Sequence, residues 1–383
     1  MIYLDNAATT SPKPKKVIQN INYAMNNLVA NPGRSGYELS VKAAEMVFNC
    51  RKGIAELFGF ESPERVIFTK NCTESVNAVL NGLPLKGKKV VVSSLEHNAV
   101  MRPLYELAEK GVKIEVAEVF FGDFEATLRS FERAIDNDTA LVFCTHASNV
   151  NGAVLPIEKI GKLCRDRGVL FAVDAAQTAG VFSINMTDMN IDYLCAPGHK
   201  GLYGPMGTGI LLCKGEIEYP LMSGGTGSRS VEKFQPSDFP ERLESGTLNV
   251  PGIAGLKGGV EVVRAKGIDN IRHHETNISA YIYNNLSKMN HITLYTPKPD
   301  GIHFAPVFSF NVKGLHSTKT AGILNRQGIG VRAGLQCAPT AHRRMGTLES
   351  GTVRISPSLF TTFNDANFFI NVIKNVKKDT IKY

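Results

Sequence analysis

The sequence predicts an α/β protein with a large three-layer domain, built on a mainly parallel sheet, and a smaller C-terminal α+β domain. Two observations carry this prediction. Apolar runs typical of buried strands alternate with helical periodicity from about residue 60 to residue 215, and this alternation is typical of a parallel sheet covered by helices on both faces. About the last hundred residues instead show short strand patterns set between helices, which favours a separate, smaller unit.

The predicted elements follow one another in order along the chain. A short strand near the N-terminus precedes two helical patterns, 14–28 and 41–58, the first of which begins at a proline. The strands of the large domain are predicted at 66–68, 89–93, 112–119, 140–145, 168–174 and 191–195. A segment rich in Gly, Ser and Pro, 221–252, predicts a long functional loop. The elements predicted after it are a helical stretch at 251–288, strands at 291–294 and 307–312, a helix at 317–328 and a closing helix after residue 364.

Composition is that of a globular protein with a large core, and it argues against several classes of function. The 383 residues are 43% hydrophobic, with a mean hydropathy of −0.07. The net charge of +8 is spread along the chain, which predicts a solvated surface and no nucleic-acid partner. Seven cysteines, without a leader segment or zinc-type spacing, favour a cytoplasmic protein with neither a disulfide framework nor a metal site. No apolar run reaches membrane-spanning length.

Lys200 lies where the predicted strand 191–195 gives way to a turn rich in glycine. A lysine in a closed pocket loses the hydration of its ammonium group, so its pKa falls and its free amine becomes a nucleophile toward carbonyls. Asp174 closes the apolar run 168–174, and ligands bind at the carboxyl ends of parallel strands. Pyridoxal phosphate requires such a lysine for its aldehyde carbon and such a carboxylate for its pyridine nitrogen. The alternatives are a solvated surface lysine and a carboxylate that caps the following helix.

Other strand ends and turns carry polar groups that suit a flat, phosphorylated ligand. His97 follows one predicted strand and either stacks its ring on a cofactor or caps a helix. Asn149 follows another and either donates its amide N–H to a phenolate oxygen or serves a turn. The segment 69–75 predicts an anion site at a helix N-terminus, or a Thr or Ser cap. The small residues at 6–8 either line a pocket with their backbone or form a plain turn.

Cys337 and Arg354 are the candidate reactive groups of the small domain. Cys337 lies in a loop bounded by glycine and proline, whereas three other cysteines lie within apolar strand runs. The cations expected to favour its thiolate are Arg332, His342, Arg343 and Arg344. Arg354 ends or interrupts a predicted strand, and it either grips a carboxylate with two N–H groups or forms a structural salt bridge.

Four segments of the chain together resemble a known enzyme family. They are VDAAQ at 173–177, GHKGLYGPMGTG at 198–209, ESGTLN at 244–249 and RAGLQCA at 332–338. In this order and spacing they resemble the cysteine desulfurase and selenocysteine lyase family, within the class V aminotransferase group of fold-type I pyridoxal phosphate enzymes. The resemblance runs from residue 3 to residue 362. It implies a large cofactor-binding domain at 15–255 and a small α+β domain, formed by 1–14 and 256–383, that carries the catalytic cysteine.

The resemblance implies pyridoxal 5'-phosphate as the cofactor and gives each candidate residue a role. Lys200 would hold the cofactor as a Schiff base, Asp174 would pair with its pyridinium nitrogen, and His97 would stack on its ring. The remaining cofactor-binding residues that it implies are Asn149 and Gln177 at the phenolic oxygen, and Cys72, Thr73, His199 and Thr247 at the phosphate. Thr247 would reach the phosphate from the other subunit, which implies a homodimer with shared active sites.

The implied reaction converts L-cysteine to L-alanine and leaves the sulfur on Cys337 as a persulfide. Lys200, Cys337 and His97 are the implied catalytic residues, and Arg354 would bind the substrate carboxylate. The other implied substrate-binding residues are Asn6, Ala7, Ala8 and Arg332. The short loop around Cys337 is similar to that of desulfurases that need an activating acceptor protein, and the family implies a role in iron–sulfur cluster assembly.

Three alternatives to this reaction stay open at the level of the sequence. The first is a selenocysteine lyase, which releases selenium from L-selenocysteine. The second is a class V aminotransferase or a kynureninase-like enzyme in which Cys337 is incidental. The third is a non-catalytic protein that retains the fold, against which the intact Lys200, Asp174 and Arg354 weigh.

The chain departs from the family pattern at three places. Pro197 stands where many relatives carry a serine, which removes one hydroxyl from the expected phosphate site. Gln336, after Leu335, stands where a histidine more usually precedes the cysteine, and Tyr37 stands where related enzymes often have a histidine.

Overall fold

A computed structural model describes residues 1–33 and 36–376 of the chain. The strands are β1 (Ile2–Tyr3), β2 (Val66–Thr69), β3 (Lys89–Ser93), β4 (Lys113–Ala117), β5 (Thr139–Thr145), β6 (Leu170–Asp174), β7 (Tyr193–Pro197), β8 (Gly209–Cys213), β9 (Ile292–Leu294), β10 (Phe308–Val312), β11 (Ile329–Gly330), β12 (Arg332–Gly334) and β13 (Thr352–Ile355). The helices are α1 (Lys15–Asn27), α2 (Glu38–Leu57), α3 (Cys72–Gly82), α4 (Asn98–Ala108), α5 (Phe124–Ala134), α6 (Ile157–Asp166), α7 (Val250–Lys266), α8 (Ile268–Leu286), α9 (Ser317–Arg326), α10 (Pro339–Met345) and α11 (Phe363–Lys374). A short 3₁₀ helix, Pro63–Arg65, precedes β2.

Seven strands form one sheet, in the order β2-β8-β7-β6-β5-β3-β4. All neighbouring pairs are parallel except the two that β8 makes with β2 and β7. Six strands therefore run in one direction and β8 runs against them. Every residue of β7 and β8 is buried, as expected for strands covered on both faces. The prediction of a mainly parallel sheet is confirmed.

Helices cover both faces of this sheet, because successive side chains along a strand point to opposite faces. On one face, Val91 and Val142 belong to a core that includes residues of α1, α2, α5, α6 and α7. On the other face, Val90, Val92 and Phe143 belong to a core that includes residues of α3 and α4. The predicted three-layer arrangement is therefore confirmed.

Four strands form a second, antiparallel sheet, in the order β12-β13-β10-β9. Residues of α8, α9 and α11 share a third apolar core with it. The N-terminal strand β1 pairs in parallel with β11, which attaches the start of the chain to this smaller α+β unit. The boundaries at 15–255, with 1–14 and 256–383 in the small domain, stay a prediction, and residues 377–383 lie outside the described part of the chain.

Three details differ from the sequence prediction. Strand β8, which runs against its neighbours, was not among the predicted strands. The stretch 251–288 is two helices, because Gly267 between α7 and α8 has a φ of +79°, a conformation that side chains other than glycine rarely adopt. Helices α4 and α10 were not predicted: α4 contains Pro103, which weakens its helical signal, and α10 has only seven residues. The predicted loop 221–252 is confirmed as far as residue 249, since residues 214–249 contain neither helix nor strand and α7 begins at Val250.

No helix within 1–33 or 36–376 combines the length and apolar character needed to cross a membrane. In the same residues, no group of three or more His, Cys, Asp or Glu side chains is arranged to hold a metal ion.

A buried ion pair anchors the long loop to the large sheet. Arg51 of α2 donates from Nη1 and Nη2 to the two carboxylate oxygens of Glu244, at 2.8 and 2.5 Å. One of these oxygens also accepts the backbone N–H of Phe68 at 2.7 Å. The two charged side chains are 5% and 6% exposed. A buried charge that loses its partner is costly. Removing either Arg51 or Glu244 is therefore expected to destabilise the fold.

Glu244→Ala is expected to lower the free energy of unfolding by about 3–5 kcal/mol, because it leaves Arg51 buried without a counter-charge. Glu216→Ala is the matched control: it removes the carboxylate of the Arg65–Glu216 pair at 2.9 Å, in which Glu216 is 80% exposed. That control is expected to cost less than about 1 kcal/mol. Urea denaturation of the two variants and the parent measures both effects, and equal losses would contradict the assignment of Glu244 as an anchor.

Candidate active site

A pocket lies at the carboxyl ends of β3, β5, β6 and β7, beside the N-terminus of α3. Residues that follow parallel strands meet at the same edge of a sheet, and the pocket forms there. The predicted site residues that line it are Ala8, Cys72, Thr73, His97, Asn149, Asp174, Gln177, His199 and Lys200. The structure therefore brings together nine residues that the sequence assigned to one site.

Asp174 and Lys200 enter the pocket from neighbouring strands. Asp174 ends β6 and is 3% exposed; its Oδ1 accepts the Ala176 N–H at 2.8 Å and the Cys72 thiol at 3.5 Å. No helix lies between β6 and β7, so Asp174 does not cap a helix and that alternative is wrong. Lys200 follows β7 and is half-buried. Burial lowers the pKa of Lys200 against the opposing effect of the Asp174 charge, which increases the fraction of free amine.

His97 caps α4 and also lines the pocket. Its Nδ1 accepts the backbone N–H of Ala99 at 3.0 Å. Burial lowers the pKa of His97 to about 4, so the ring is neutral near pH 7. Because Nδ1 is an acceptor, the ring proton lies on Nε2. His97 thus caps a helix and lines the pocket at the same time.

The N-terminus of α3 supplies hydrogen-bond donors at one end of the pocket. Cys72 and Thr73 are its first two residues, so their backbone N–H groups have no partner within the helix. The cap is Asn71, which accepts the Glu74 N–H at 2.9 Å, so the expected Thr or Ser cap is wrong. His199 lies in the same pocket, and its buried Nδ1 has no hydrogen-bond partner among the residues described. These groups are available to an anion.

Asn149 and Gln177 each use one amide N–H within the protein. Asn149 Nδ2 donates to the Gln336 carbonyl at 2.7 Å, and Gln177 Nε2 donates to the Ala7 carbonyl at 3.3 Å. A side-chain amide nitrogen carries two hydrogens, so each residue retains one N–H for a ligand. Their assignment to a phenolic oxygen stays a prediction.

The N-terminal residues 6–8 have different environments. Ala8 lines the pocket directly. The Asn6 side chain is turned into the protein, where its amide donates to the Ser356 carbonyl at 3.0 Å and its Oδ1 accepts the Ser11 N–H at 3.1 Å. Asn6 therefore holds the N-terminal segment against the residue that follows β13.

Arg354 lies inside β13 and is 1% exposed. Its Nη2 is 2.5 Å from Asp5 Oδ1, and its Nη1 donates to the Asn149 carbonyl at 3.0 Å. Its buried Nε has no hydrogen-bond partner in the described part of the chain. Arg354 thus forms a structural salt bridge with Asp5, as the alternative interpretation predicts. Each Nη still has one N–H to offer a carboxylate, and the substrate role stays a prediction.

Cys337 is exposed, and the other six cysteines are buried. Its Sγ lies 3.5 Å from Arg332 Nη2. Its carbonyl accepts the backbone N–H of Asn98 at 2.8 Å, so the loop is attached directly after His97. An exposed thiol beside a cation is therefore held next to the pocket.

The expected contribution of His342 to a thiolate is wrong. His342 is fully buried, and burial lowers its pKa, so it adds no positive charge near pH 7. Arg344 forms an ion pair with Glu118 at 3.3 Å. The cation in contact with the Cys337 thiol is Arg332.

Thr247 lies outside the pocket of its own chain. It is exposed, and its hydroxyl accepts from Asn31 Nδ2 at 3.3 Å. It lines a separate cleft with Lys70 and Glu74. The role of Thr247 in a partner subunit stays a prediction. Pro197, the departure from serine, does line the pocket.

Sequence reasoning missed three residues around the site: Asp5, Asn71 and Glu96. Asn71 could have been found, because an Asn three residues before Glu74 is a helix-start signal. Asp5 had a weaker signal, since a buried arginine requires a counter-charge but the sequence does not say which carboxylate supplies it. Glu96 lies in a mixed segment that shows no local sign of burial.

The chain is similar to proteins of one family along nearly its whole length. A model of the class-V aminotransferases matches residues 2–369. Probable cysteine desulfurases from Methanothermobacter thermautotrophicus and Pyrococcus abyssi are 33% and 35% identical, over 98% and 99% of this chain and 94% of each relative. The apo structure of cysteine desulfurase from Thermococcus onnurineus NA1 matches with a TM-score of 0.90 at 33% identity, covering 100% of this chain and 94% of that one. The prediction of a fold-type I transferase fold is confirmed.

Glu96 is a carboxyl group enclosed beside the pocket. It is 0% exposed. Its Oε1 accepts from the Ser93 hydroxyl and from the Thr145 N–H, the latter at 2.9 Å, while its Oε2 has no hydrogen-bond partner among the described residues. Burial raises the pKa of Glu96 to about 8. The side chain is therefore protonated near pH 7.

Glu96→Gln is expected to change how stability depends on pH. In the unfolded chain Glu96 loses its proton near the ordinary pKa of 4.5, whereas the folded protein retains it up to about pH 8. Between these values the folded state binds more protons, so Glu96 makes stability fall as the pH rises. Glutamine has the same shape as the protonated carboxyl group but does not titrate, so it removes this pH dependence of the unfolding free energy. The unfolding free energy of the variant should therefore rise relative to the parent, by on the order of 3 kcal/mol from pH 5 to pH 8.

Urea denaturation of both proteins at pH 5, 6.5 and 8 measures this difference. A difference that stays constant over the three pH values would show that Glu96 is not protonated in the folded state.

Proposed function

The chain belongs to the class-V aminotransferase family, and we propose that it is a pyridoxal-phosphate-dependent cysteine desulfurase with Cys337 as the sulfur acceptor. The observation that carries the proposal is the environment of Cys337. Its thiol is exposed, and its carbonyl is bonded to the residue that follows His97. An exposed thiol thus adjoins a pocket that contains a lysine amine and a buried carboxylate.

The pocket fits pyridoxal phosphate at three points. Lys200 offers an amine whose pKa is lowered by burial, Asp174 offers a buried carboxylate, and His199 offers an unpaired ring nitrogen near the free N–H groups of α3. When bound, the cofactor supplies a carbonyl carbon for the substrate amine and an acceptor for the electrons released at Cα.

The side chains of this chain bind the substrate and move its protons. Arg354 binds the substrate carboxylate with the N–H groups that Asp5 and Asn149 leave free. Lys200 accepts the proton from the substrate Cα, since its lowered pKa makes the free amine available. His97 lines the pocket and is neutral near pH 7, so it would hold the cofactor through its ring without adding charge.

Cys337 is the nucleophile that takes the sulfur. Its thiolate attacks the substrate sulfur; an S–S bond forms, and the substrate Cβ–S bond breaks with its electron pair going to Cβ. Cβ then takes up a proton. The products are alanine and a persulfide on Cys337, so no external oxidant is needed. The cation in contact with this sulfur is Arg332, whose Nη2 lies 3.5 Å from it.

The proposal includes a homodimer. Helices α1 and α2 expose large apolar side chains, among them Tyr23, Met25 and Phe48, and exposed apolar surfaces of this kind mark interaction sites. Phe48 lines a cleft together with 226–228 and residues on both sides of Thr247. In the proposed dimer a second copy covers this surface, and Thr247 reaches the phosphate of the partner.

The proposal also includes an external sulfur acceptor protein, a role in iron–sulfur cluster assembly and a cytoplasmic location. The exposed position of Cys337 makes its persulfide accessible to such an acceptor. All seven cysteines are free, as a reducing compartment requires.

Cys337→Ser is expected to abolish sulfur transfer while leaving cofactor binding intact, because a hydroxyl cannot form a persulfide. Cofactor-loaded protein is mixed with L-cysteine, mass spectrometry follows sulfur addition, and alanine is assayed in the same samples. The parent should gain one sulfur on Cys337 with matching alanine. The variant should keep the cofactor absorbance band. Its rate of alanine formation should fall by a factor of roughly 1,000 or more.

The six buried cysteines are the internal control for this experiment. Unchanged alanine production by the variant, or sulfur found on a buried cysteine, would overturn the role of Cys337. Transfer of the amino group to a keto acid would indicate an aminotransferase instead. The same assay with L-selenocysteine tests the selenocysteine lyase alternative, which requires faster turnover on that substrate.

Mixed dimers of Lys200→Ala and Thr247→Val subunits test the shared site. Thr247→Val is expected to weaken cofactor binding about tenfold through loss of one hydrogen bond to a charged group. If Thr247 acts across the interface, each mixed dimer has one site with both residues intact and one site with both defects. Dimers purified with two different affinity tags should then show one tight, active site at a cofactor concentration that leaves Thr247→Val homodimers largely empty. If no such site forms, Thr247 does not act across the interface.

A further inference from the structure

Gln336 is a buried polar residue in an otherwise exposed loop. It is 3% exposed, whereas Leu335 before it is 38% exposed and Cys337 after it is also exposed. It is also the position at which the chain departs from the more usual histidine. A glutamine is seldom buried unless its side-chain amide is hydrogen-bonded. The hydrogen bonds of Gln336 therefore show what holds this loop in place.

Both ends of the Gln336 amide are bonded within the protein. Nε2 donates to the Thr352 carbonyl at 3.0 Å. Oε1 accepts from His342 Nε2 at 2.8 Å and from the Thr352 hydroxyl at 3.4 Å. His342 is held in turn by the Thr347 hydroxyl, 2.8 Å from its Nδ1. The amide therefore joins α10, which follows the loop, to β13, which lies beside it.

The backbone of the loop needs such support. Gln336 and Cys337 have φ values of +44° and +59°, in the left-handed region that favours glycine. Two consecutive residues in this conformation direct Gln336 inward and Cys337 outward. A backbone of this kind persists only where its surroundings hold it, and the bonded amide of Gln336 provides that hold.

Gln336 also connects the loop to the pocket. Its carbonyl accepts Asn149 Nδ2 at 2.7 Å, and Asn149 lines the pocket. Thr352, which Gln336 contacts, belongs to the same strand as Arg354. One residue therefore links the thiol to the two side chains proposed to meet the cofactor and the substrate carboxylate.

We propose that Gln336 is a positioning residue for sulfur transfer. Its buried amide fixes the turn that presents Cys337, and its carbonyl orients the Asn149 amide. The inference rests on the proposed function for the role of Cys337, and it goes further in assigning what holds the thiol in place. The loop is preformed: it does not have to fold over the substrate before the sulfur is attacked.

Gln336→Met tests this directly, because methionine has a similar length but cannot form these hydrogen bonds. Cofactor-loaded protein is mixed with L-cysteine in D₂O, and two rates are measured: deuterium uptake at the substrate Cα and sulfur addition to Cys337. Deuterium uptake needs Lys200 and not the thiol, so it should stay near the parental rate. Sulfur addition should fall roughly 100-fold, as expected for a misplacement of about 1 Å in a reacting group.

Two further variants serve as controls. Gln336→His restores a side chain with a donor and an acceptor, and it should recover most of the sulfur-addition rate. Leu335→Met makes a similar change at the exposed neighbour and should leave both rates at the parental level.

Two results would overturn the proposal. One is sulfur addition by Gln336→Met at the rate of Leu335→Met. The other is a parallel loss of deuterium uptake, sulfur addition and cofactor absorbance, which would indicate a general structural role.

Backbone amide exchange in the parent protein measures the same property without any reaction. The Asn98 N–H donates to the Cys337 carbonyl at 2.8 Å, and the Ala338 N–H donates to the Leu335 carbonyl at 2.9 Å. In a preformed loop both amides should exchange at least about 100-fold more slowly than in an unstructured chain. Exchange at the unstructured rate would overturn the proposal even if Gln336→Met failed to fold. A parent that exchanges slowly but forms neither alanine nor persulfide would contradict the proposed function and leave the preformed loop standing.

Discussion

The common direction of β3, β5, β6 and β7 is the constraint on which the site depends. Parallel strands deliver the residues that follow them to one edge of the sheet, so segments spread over more than a hundred residues of chain converge on one pocket. Between their first and last residues these strands carry only apolar side chains, and nearly all of these are buried. The polar groups therefore accumulate where the strands end, and that edge is where a ligand can be bound and acted upon.

Burial of this edge then sets the protonation of its groups. Removing water disfavours charge whatever its sign, so the pKa of Lys200 falls, that of His97 falls to about 4, and that of Glu96 rises to about 8. One physical cause thus increases the free amine, keeps the ring neutral and keeps a nearby carboxyl protonated. Burial is the largest cause of each of these three pKa shifts, and part of its cost falls on stability.

The second sheet contributes what the first cannot. Arg354 comes from β13 and Cys337 from the loop between β12 and α10, and both are connected to the pocket through Asn149: its carbonyl accepts from Arg354, and its amide donates to the carbonyl of Gln336. A single turn after β5 therefore contacts both elements, so Arg354 and the loop that carries Cys337 are held by the same residue of the large domain.

The sequence by itself determined six of the seven strands of the large sheet, the residues at their ends and the family. Each depends on local pattern: apolar runs of strand length closed by Asp174 or leading into Lys200, and motifs whose letters lie next to one another. Tertiary structure alone decided which distant groups meet. Asp5 and Arg354 pair across 349 positions, Gln336 bonds to Thr352, and His342, a cation by residue type, is buried and neutral. Periodicity within one segment cannot reveal such contacts, because pairing and burial depend on every element that packs around a residue.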